Sequence, residues 1–142
     1  MTYTISLVCD DYDDSLFPGL YRWSVLIDPP DEATDGTFYT FRRDEESKEW
    51  FPESETVTRS FQARRERFPS LMQLCTVENL DFPTFQRTWN STPRLLTGVV
   101  NNQGAVRMAL QTLVNRQILP FSTMTCLNND VPTNVENREV EE

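Results

Sequence analysis

The hydrophobic pattern of this 142-residue chain changes its period once, near residue 80. Before that point, runs rich in β-branched and aromatic residues alternate apolar with polar positions, as half-buried strands do. After it, apolar residues recur every three or four positions, as on one face of a helix. This predicts an α+β fold in which an antiparallel sheet packs against later helices. The strands are predicted at 3–9, 20–27, 37–42, 50–51 with 55–61, and 71–77, and the helices at 81–89 and 101–117.

Length and composition indicate one domain. A chain of 142 residues with 38% hydrophobic residues can bury a core without disulfides or a metal. The C-terminal stretch is rich in Asn and Glu and has no apolar period. We therefore expect a single α+β domain over residues 1–126 and a flexible acidic tail over 127–142. The three cysteines are far apart, which argues against a disulfide framework, and Cys9 and Cys75 are expected to be buried, inert thiols.

The net charge of the chain limits the classes of partner that it is expected to bind. The chain has 22 acidic and 13 basic residues and a net charge of −9. Repulsion from phosphate disfavours nucleic acid and anionic membranes as partners. No apolar run reaches the roughly 18–20 residues of a membrane span, and the N-terminus does not resemble a signal peptide. We expect a cytoplasmic protein with no nucleic-acid or membrane partner.

Histidine is absent from the chain. Its absence excludes the Ser-His-Asp triad, the Cys-His dyad and histidine-based metal sites. The acidic run at 10–14 lacks the full spacing of a calcium loop, and the one at 45–55 lies among the basic residues Arg42, Arg43 and Lys48. We interpret both as solvated. The chain has no glycine-rich phosphate loop. We therefore predict neither a metal nor a cofactor.

Several short segments follow one another in an order that resembles a known family. They are YRWSVL at 21–26, GTFY at 36–39, a Trp at 50, a Leu-rich strand at 71–77, and NNQ at 101–103, which opens the long helix. Over about residues 6–119 the chain resembles fungal proteins of unassigned function. Those proteins in turn resemble circularly permuted, papain-like amidases of the NlpC and LRAT type.

The resemblance implies a permuted papain-like core with its catalytic dyad replaced. The family's histidine precedes a Trp in an N-terminal strand, where this chain has Arg22, and its cysteine opens a later helix, where this chain has Asn102. An amide is not a usable nucleophile and a guanidinium stays protonated, so thiol chemistry is lost. The helix N-terminus, Arg22 and Asn102 can still hold a carbonyl or carboxylate. We predict a site with Arg22, Asn102 and Tyr39 as catalytic groups and Trp23, Tyr21, Phe41, Asn101 and Gln103 as substrate-binding residues.

Two functions fit these expectations. The first is a cofactor-independent enzyme or binder for a small apolar metabolite, such as an isomerase or cyclase for a pericyclic-type step in fungal specialised metabolism. It requires a closed pocket that contains Arg22. The second is a non-catalytic pseudoenzyme that binds a protein partner through its acidic surface or tail, and it predicts a filled pocket. A simpler interpretation also stays open, in which Arg22 is an exposed strand residue and Asn101 and Asn102 only cap a helix.

Overall fold

A computed structural model describes residues 1–11, 21–30, 35–57, 71–99 and 101–130. These residues form a five-stranded antiparallel sheet and three α-helices, which confirms the predicted α+β class. The end of the predicted strand at 58–61 and the tail beyond residue 130 lie outside the described residues. So do the side chains of Cys9 and Tyr21.

The sheet has the order β4-β3-β2-β1-β5. β1 lies next to both β2 and β5, so the first strand occupies an inner position and β4 and β5 form the edges. β4 is one continuous strand, although two separate segments are predicted in this region. Pro52 lies within it, and the edge position tolerates a residue without a backbone N–H. The strands are β1 Thr2–Asp11, β2 Tyr21–Asp28, β3 Gly36–Arg43, β4 Trp50–Val57 and β5 Leu71–Glu78.

Two of the helices begin at side-chain caps. The carboxylate of Asp81 accepts from the backbone N–H of Thr84 at 3.2 Å, and the amide oxygen of Asn101 accepts from that of Gly104 at 2.8 Å. Each cap satisfies a donor that the first helical turn leaves without a partner. The helices are α1 Phe82–Ser91, α2 Asn102–Asn115 and α3 Ser122–Asp130, and a short 3-10 helix, Thr92–Leu95, follows α1.

Helix α3 differs from the expectation for the C-terminal region. The domain boundary expected at residue 127 falls inside this helix, and the Leu127 side chain is fully buried. Thr123 and Met124 are buried as well, so the three positions share one helical face. The many polar residues around them conceal this spacing in the sequence. The folded domain therefore extends at least to residue 130.

The main core lies between the helices and one face of the sheet. Because strand residues alternate between faces, Trp23, Val25 and Ile27 of β2 point toward the helices and Leu26 points away. Leu26 forms a second, smaller buried cluster with Val8 and Phe38 on the opposite face. Within the described ranges, no helix is both long and apolar enough to cross a membrane.

Candidate functional site

Asn102 is the first residue of α2, and its carboxamide is directed into the sheet. Its side chain is 3% exposed. Oδ1 accepts a hydrogen bond from the backbone N–H of Trp23 at 2.5 Å. Nδ2 donates to Thr40 Oγ1 at 3.2 Å and to the carbonyl of Phe41 at 3.1 Å. Both amide hydrogens of Asn102 thus have partners within the protein.

The carboxamide occupies a split between two strands. Backbone pairing of β2 with β3 runs from Val25 opposite Tyr39 to Ile27 opposite Thr37. Continued by two residues, the same register would place Trp23 opposite Phe41. Asn102 instead bridges the N–H of one and the carbonyl of the other. Its amide takes the place of a peptide group between the strands and satisfies two backbone groups that burial would otherwise leave without partners.

Thr40 completes this junction. Its hydroxyl donates to the carbonyl of Trp23 at 3.0 Å and accepts from Asn102. The junction consists of Trp23, Thr40, Phe41 and Asn102, and three of these were predicted as site residues. The sequence contains no signal for Thr40, because its role depends on the separation of β2 from β3.

Arg22 does not join this junction. It neighbours Trp23 on β2, and the alternation of strand side chains directs the two to opposite faces of the sheet. Arg22 is exposed, and its backbone lies opposite Asp10 of β1. The structure therefore does not bring Arg22 and Asn102 together, although both occupy the dyad positions implied by the resemblance.

The aromatic rings predicted as pocket walls belong to a packed cluster. Phe41 stacks on Trp89 with centroids 4.6 Å apart and planes 10° from parallel. Tyr39 meets Phe85 edge-on at 5.2 Å. The indole N–H of Trp89 donates to the carbonyl of Thr40 at 3.4 Å. α1 supplies Phe85 and Trp89, whose four-residue spacing is visible in the sequence as one helical face, and these rings fill the space between α1 and β3.

Two buried donors near the junction have no hydrogen-bond partner in the described part of the chain. They are the indole N–H of Trp23 and the hydroxyl of Tyr39. Burial raises the pKa of Tyr39 to about 12, so this hydroxyl stays protonated and remains a donor at neutral pH. The guanidinium of Arg107 lies 5.3 Å from the centroid of the Trp23 ring. One of these donors belongs to the junction and the other lies beside it on β3.

The remaining predicted site residues are Asn101, Gln103 and Tyr21. Asn101 caps α2, as described above, and Gln103 is almost fully buried. A side chain at Gly104 would place its Cβ 3.1 Å from Val99 Cγ1, so the glycine permits close packing there. The side chain of Tyr21 lies outside the described residues. The junction can therefore donate hydrogen bonds, but Asn102, Thr40 and Trp23 carry no group that ionises near neutral pH.

Two other surface features are distinct from the junction. The first is the acidic hairpin, defined as residues 42–55 of β3, β4 and their turn. The second is a shallow cleft of about 550 Å³ between β5 and the turn from α2 to α3, lined in part by Val77, Ile118 and Phe121. Phe121 is 76% exposed. Among the described residues, no group of three or more His, Cys, Asp or Glu side chains is placed to hold a metal.

The turn of the acidic hairpin is held by its own hydrogen bonds. Asp44 Oδ2 accepts from the N–H of Ser47 at 2.8 Å, and the N–H of Asp44 donates to the carbonyl of Glu49 at 2.8 Å. Hydrogen bonds from Ser47 hold the pKa of the Asp44 carboxyl below its usual range. Lys48 adopts a positive φ of 63°, which closes the turn. The turn therefore presents Glu45 and Glu46 to solvent in a defined arrangement.

Searches against protein-family models, curated proteins and solved structures found no match for this chain. The family resemblance stays a prediction based on the segments quoted above.

Proposed function

We propose that this protein is a non-catalytic interaction module built on a degenerate, permuted papain-like core. One observation carries the proposal: the side chain of Asn102 bonds to β2 and β3 through its oxygen and both of its amide hydrogens. A residue that acts on a substrate must direct at least one polar atom toward it. The exposed position of Arg22, on the other face of the sheet, supports the same conclusion.

The acidic hairpin is the contact surface that we favour. It combines the carboxylates of Glu45, Glu46, Glu49 and Glu53 with the exposed ring of Phe51. Arg42 pairs with Glu53 at 3.0 Å and lies over the ring of Phe51, which orders this surface. An ordered surface loses little entropy on binding, and its negative charge steers a basic partner segment toward it. We therefore propose a cytoplasmic protein partner with a basic segment.

A photocrosslinking experiment in the source cell tests this function. A photoreactive residue replaces Glu46 in the turn, and a control probe replaces Thr125, which is exposed on α3. We expect a discrete protein adduct from position 46 and none from position 125. The adduct should disappear when Glu45 and Glu49 are changed to Lys.

A matched charge control separates the hairpin from the tail. Changing Glu141 and Glu142 to Lys alters the net charge by the same amount at the C-terminus. The adduct at position 46 should survive this change. Loss of the adduct in the tail variant would assign the contact to the tail. Equal adducts from positions 46 and 125 would contradict a specific interaction surface.

A second function is favoured by one observation, the two buried donors without partners, Trp23 Nε1 and Tyr39 OH. Such donors fit a small apolar metabolite with an oxygen acceptor, which the protein would bind or isomerise without a cofactor. Native mass spectrometry of protein purified from its source tests this candidate. A bound molecule should be present in the wild type and lost in Tyr39→Phe. Identical spectra without bound mass in both proteins would exclude it.

A further inference from the structure

Two cysteines lie at one helix–strand contact, where α3 packs on β5. The hydroxyl of Thr123 donates to Cys75 Sγ at 3.1 Å, and Cys126 Sγ donates to the carbonyl of Gln73 at 3.5 Å. Thr123 and Cys126 are three positions apart on α3 and so share one helical face. Gln73 and Cys75 are two positions apart on β5. The two thiols are thus close together in space, although they are distant in sequence.

The two thiols differ in their access to solvent. Cys75 is buried, whereas Cys126 is partly exposed. Burial raises the pKa of the Cys75 thiol, the Thr123 hydrogen bond lowers it in part, and the neighbouring Cys126 raises it further. The partly exposed Cys126 can therefore meet a dissolved oxidant first. Cys75 lies behind it, where a second thiol can resolve the oxidised form.

We propose that Cys75 and Cys126 form a reversible disulfide when the protein meets hydrogen peroxide. The Cys126 thiolate attacks one peroxide oxygen, so an S–O bond forms and the O–O bond breaks. The departing hydroxide takes up a proton and becomes water. The Cys75 thiol then attacks the Cys126 sulfenic sulfur, which forms the S–S bond and breaks the S–O bond. The departing hydroxide takes up the proton of the Cys75 thiol and leaves as a second water. The two thiols lose two electrons in total, and the peroxide gains them.

Disulfide formation would break the hydrogen bond from Cys126 Sγ to the Gln73 carbonyl and the one that Cys75 Sγ accepts from the Thr123 hydroxyl. The crosslink would fix α3 to the edge strand β5. The cleft lies at the same end of the sheet, because its lining includes Thr76 of β5 and Phe121, which precedes α3. Oxidation would therefore link the strand that borders the cleft covalently to the helix that follows Phe121.

Peptide mapping of the native protein tests this inference. Trypsin cleavage at the arginines places Cys9, Cys75 and Cys126 in three different peptides, because Arg22, Arg67, Arg87 and Arg116 separate them. The folded protein is treated with hydrogen peroxide, its remaining thiols are alkylated, and the digest is analysed without reductant. We expect a linked Cys75–Cys126 peptide pair, full reversal by a dithiol reductant and, before alkylation, an intact mass about 2 Da below that of the untreated protein.

Two variants serve as controls. Cys126→Ser should abolish the crosslink and leave Cys75 as a thiol, because the reacting group is gone. Cys9→Ser should form the crosslink as the wild type does. Detection of a Cys9 linkage, of a disulfide between two chains, or of Cys126 halted as sulfinic acid would overturn the inference. So would two unmodified thiols after peroxide treatment. This outcome is independent of the crosslinking result at the acidic hairpin.

Discussion

Replacement of Asn102 by alanine tests whether its carboxamide is a structural bridge. The variant removes three hydrogen bonds and leaves two buried backbone groups, the N–H of Trp23 and the carbonyl of Phe41, without the partner that satisfies them. An unsatisfied buried polar group costs about 1–3 kcal/mol, so the free energy of unfolding should fall by about 2–6 kcal/mol. Asn102→Asp should be at least as damaging, because it directs a carboxylate oxygen at the Phe41 carbonyl.

Urea unfolding followed by tryptophan fluorescence measures this loss, because Trp23 and Trp89 are both buried and report on the core. Asn115→Ala is the matched control. Asn115 ends the same helix, is exposed, and accepts a hydrogen bond only from Gln111 among the contacts described for it, at 2.9 Å. Its loss should change stability by about 0.5 kcal/mol or less. If the Asn102→Ala protein were as stable as this control, the bridging role would be refuted. The carboxamide would then again be a candidate group for binding a ligand.

Four further outcomes follow from the same structure. Arg22→Ala should leave stability within about 0.5 kcal/mol of the wild type in urea unfolding, since the side chain is exposed, and a larger loss would mean that it packs in the fold. Tyr39→Phe should raise the free energy of unfolding by about 1–3 kcal/mol, because it deletes a buried hydroxyl without a partner, and a loss of stability would reveal a partner. Leu127→Ala should lower the free energy of unfolding by about 2–5 kcal/mol, and an unchanged value would contradict the packing of α3 on the core. Asp81→Asn should reduce stability at neutral pH, because hydrogen bonds from Thr84 hold the pKa of the Asp81 carboxyl below its unfolded value. That difference should vanish as the pH falls through the folded pKa, and a difference constant with pH would contradict the cap.

Much of the fold can be predicted from the chain's hydrophobic periods. Strands β1, β2, β3 and β5 and helices α1 and α2 occur close to their predicted positions, since each carries a clear period of 2 or 3.6. Helix α3 is missed because its buried face carries only two large apolar residues, Met124 and Leu127, beside Thr123 and the partly exposed Cys126. Burial there depends on contact with β5, which lies about 50 residues earlier, and no local pattern records that contact.

At the candidate site, too, some features follow from neighbouring residues, and others depend on contacts that are distant along the chain. The positions of Asn101 and Asn102 at a helix start can be predicted from local capping rules. The bonding direction of the Asn102 amide cannot, because it depends on the separation of β2 from β3 at the residues that precede Val25. Alternation along β2 does predict that Arg22 and Trp23 point apart. It does not indicate which of the two faces the helices, and the resemblance suggested Arg22.

The chemistry of the split explains why an amide is suited to position 102. The split between β2 and β3 presents one donor, the N–H of Trp23, and one acceptor, the carbonyl of Phe41. Both groups require a partner at the same time. A carboxamide supplies an acceptor and two donors in one plane, as a peptide group does, whereas a thiol is a weak donor and a weak acceptor at a single atom. A cysteine at this helix start would leave one strand unsatisfied unless β2 and β3 closed together. The carboxamide of Asn102 therefore suits both requirements of the split, because its oxygen accepts from one strand while its nitrogen donates to the other.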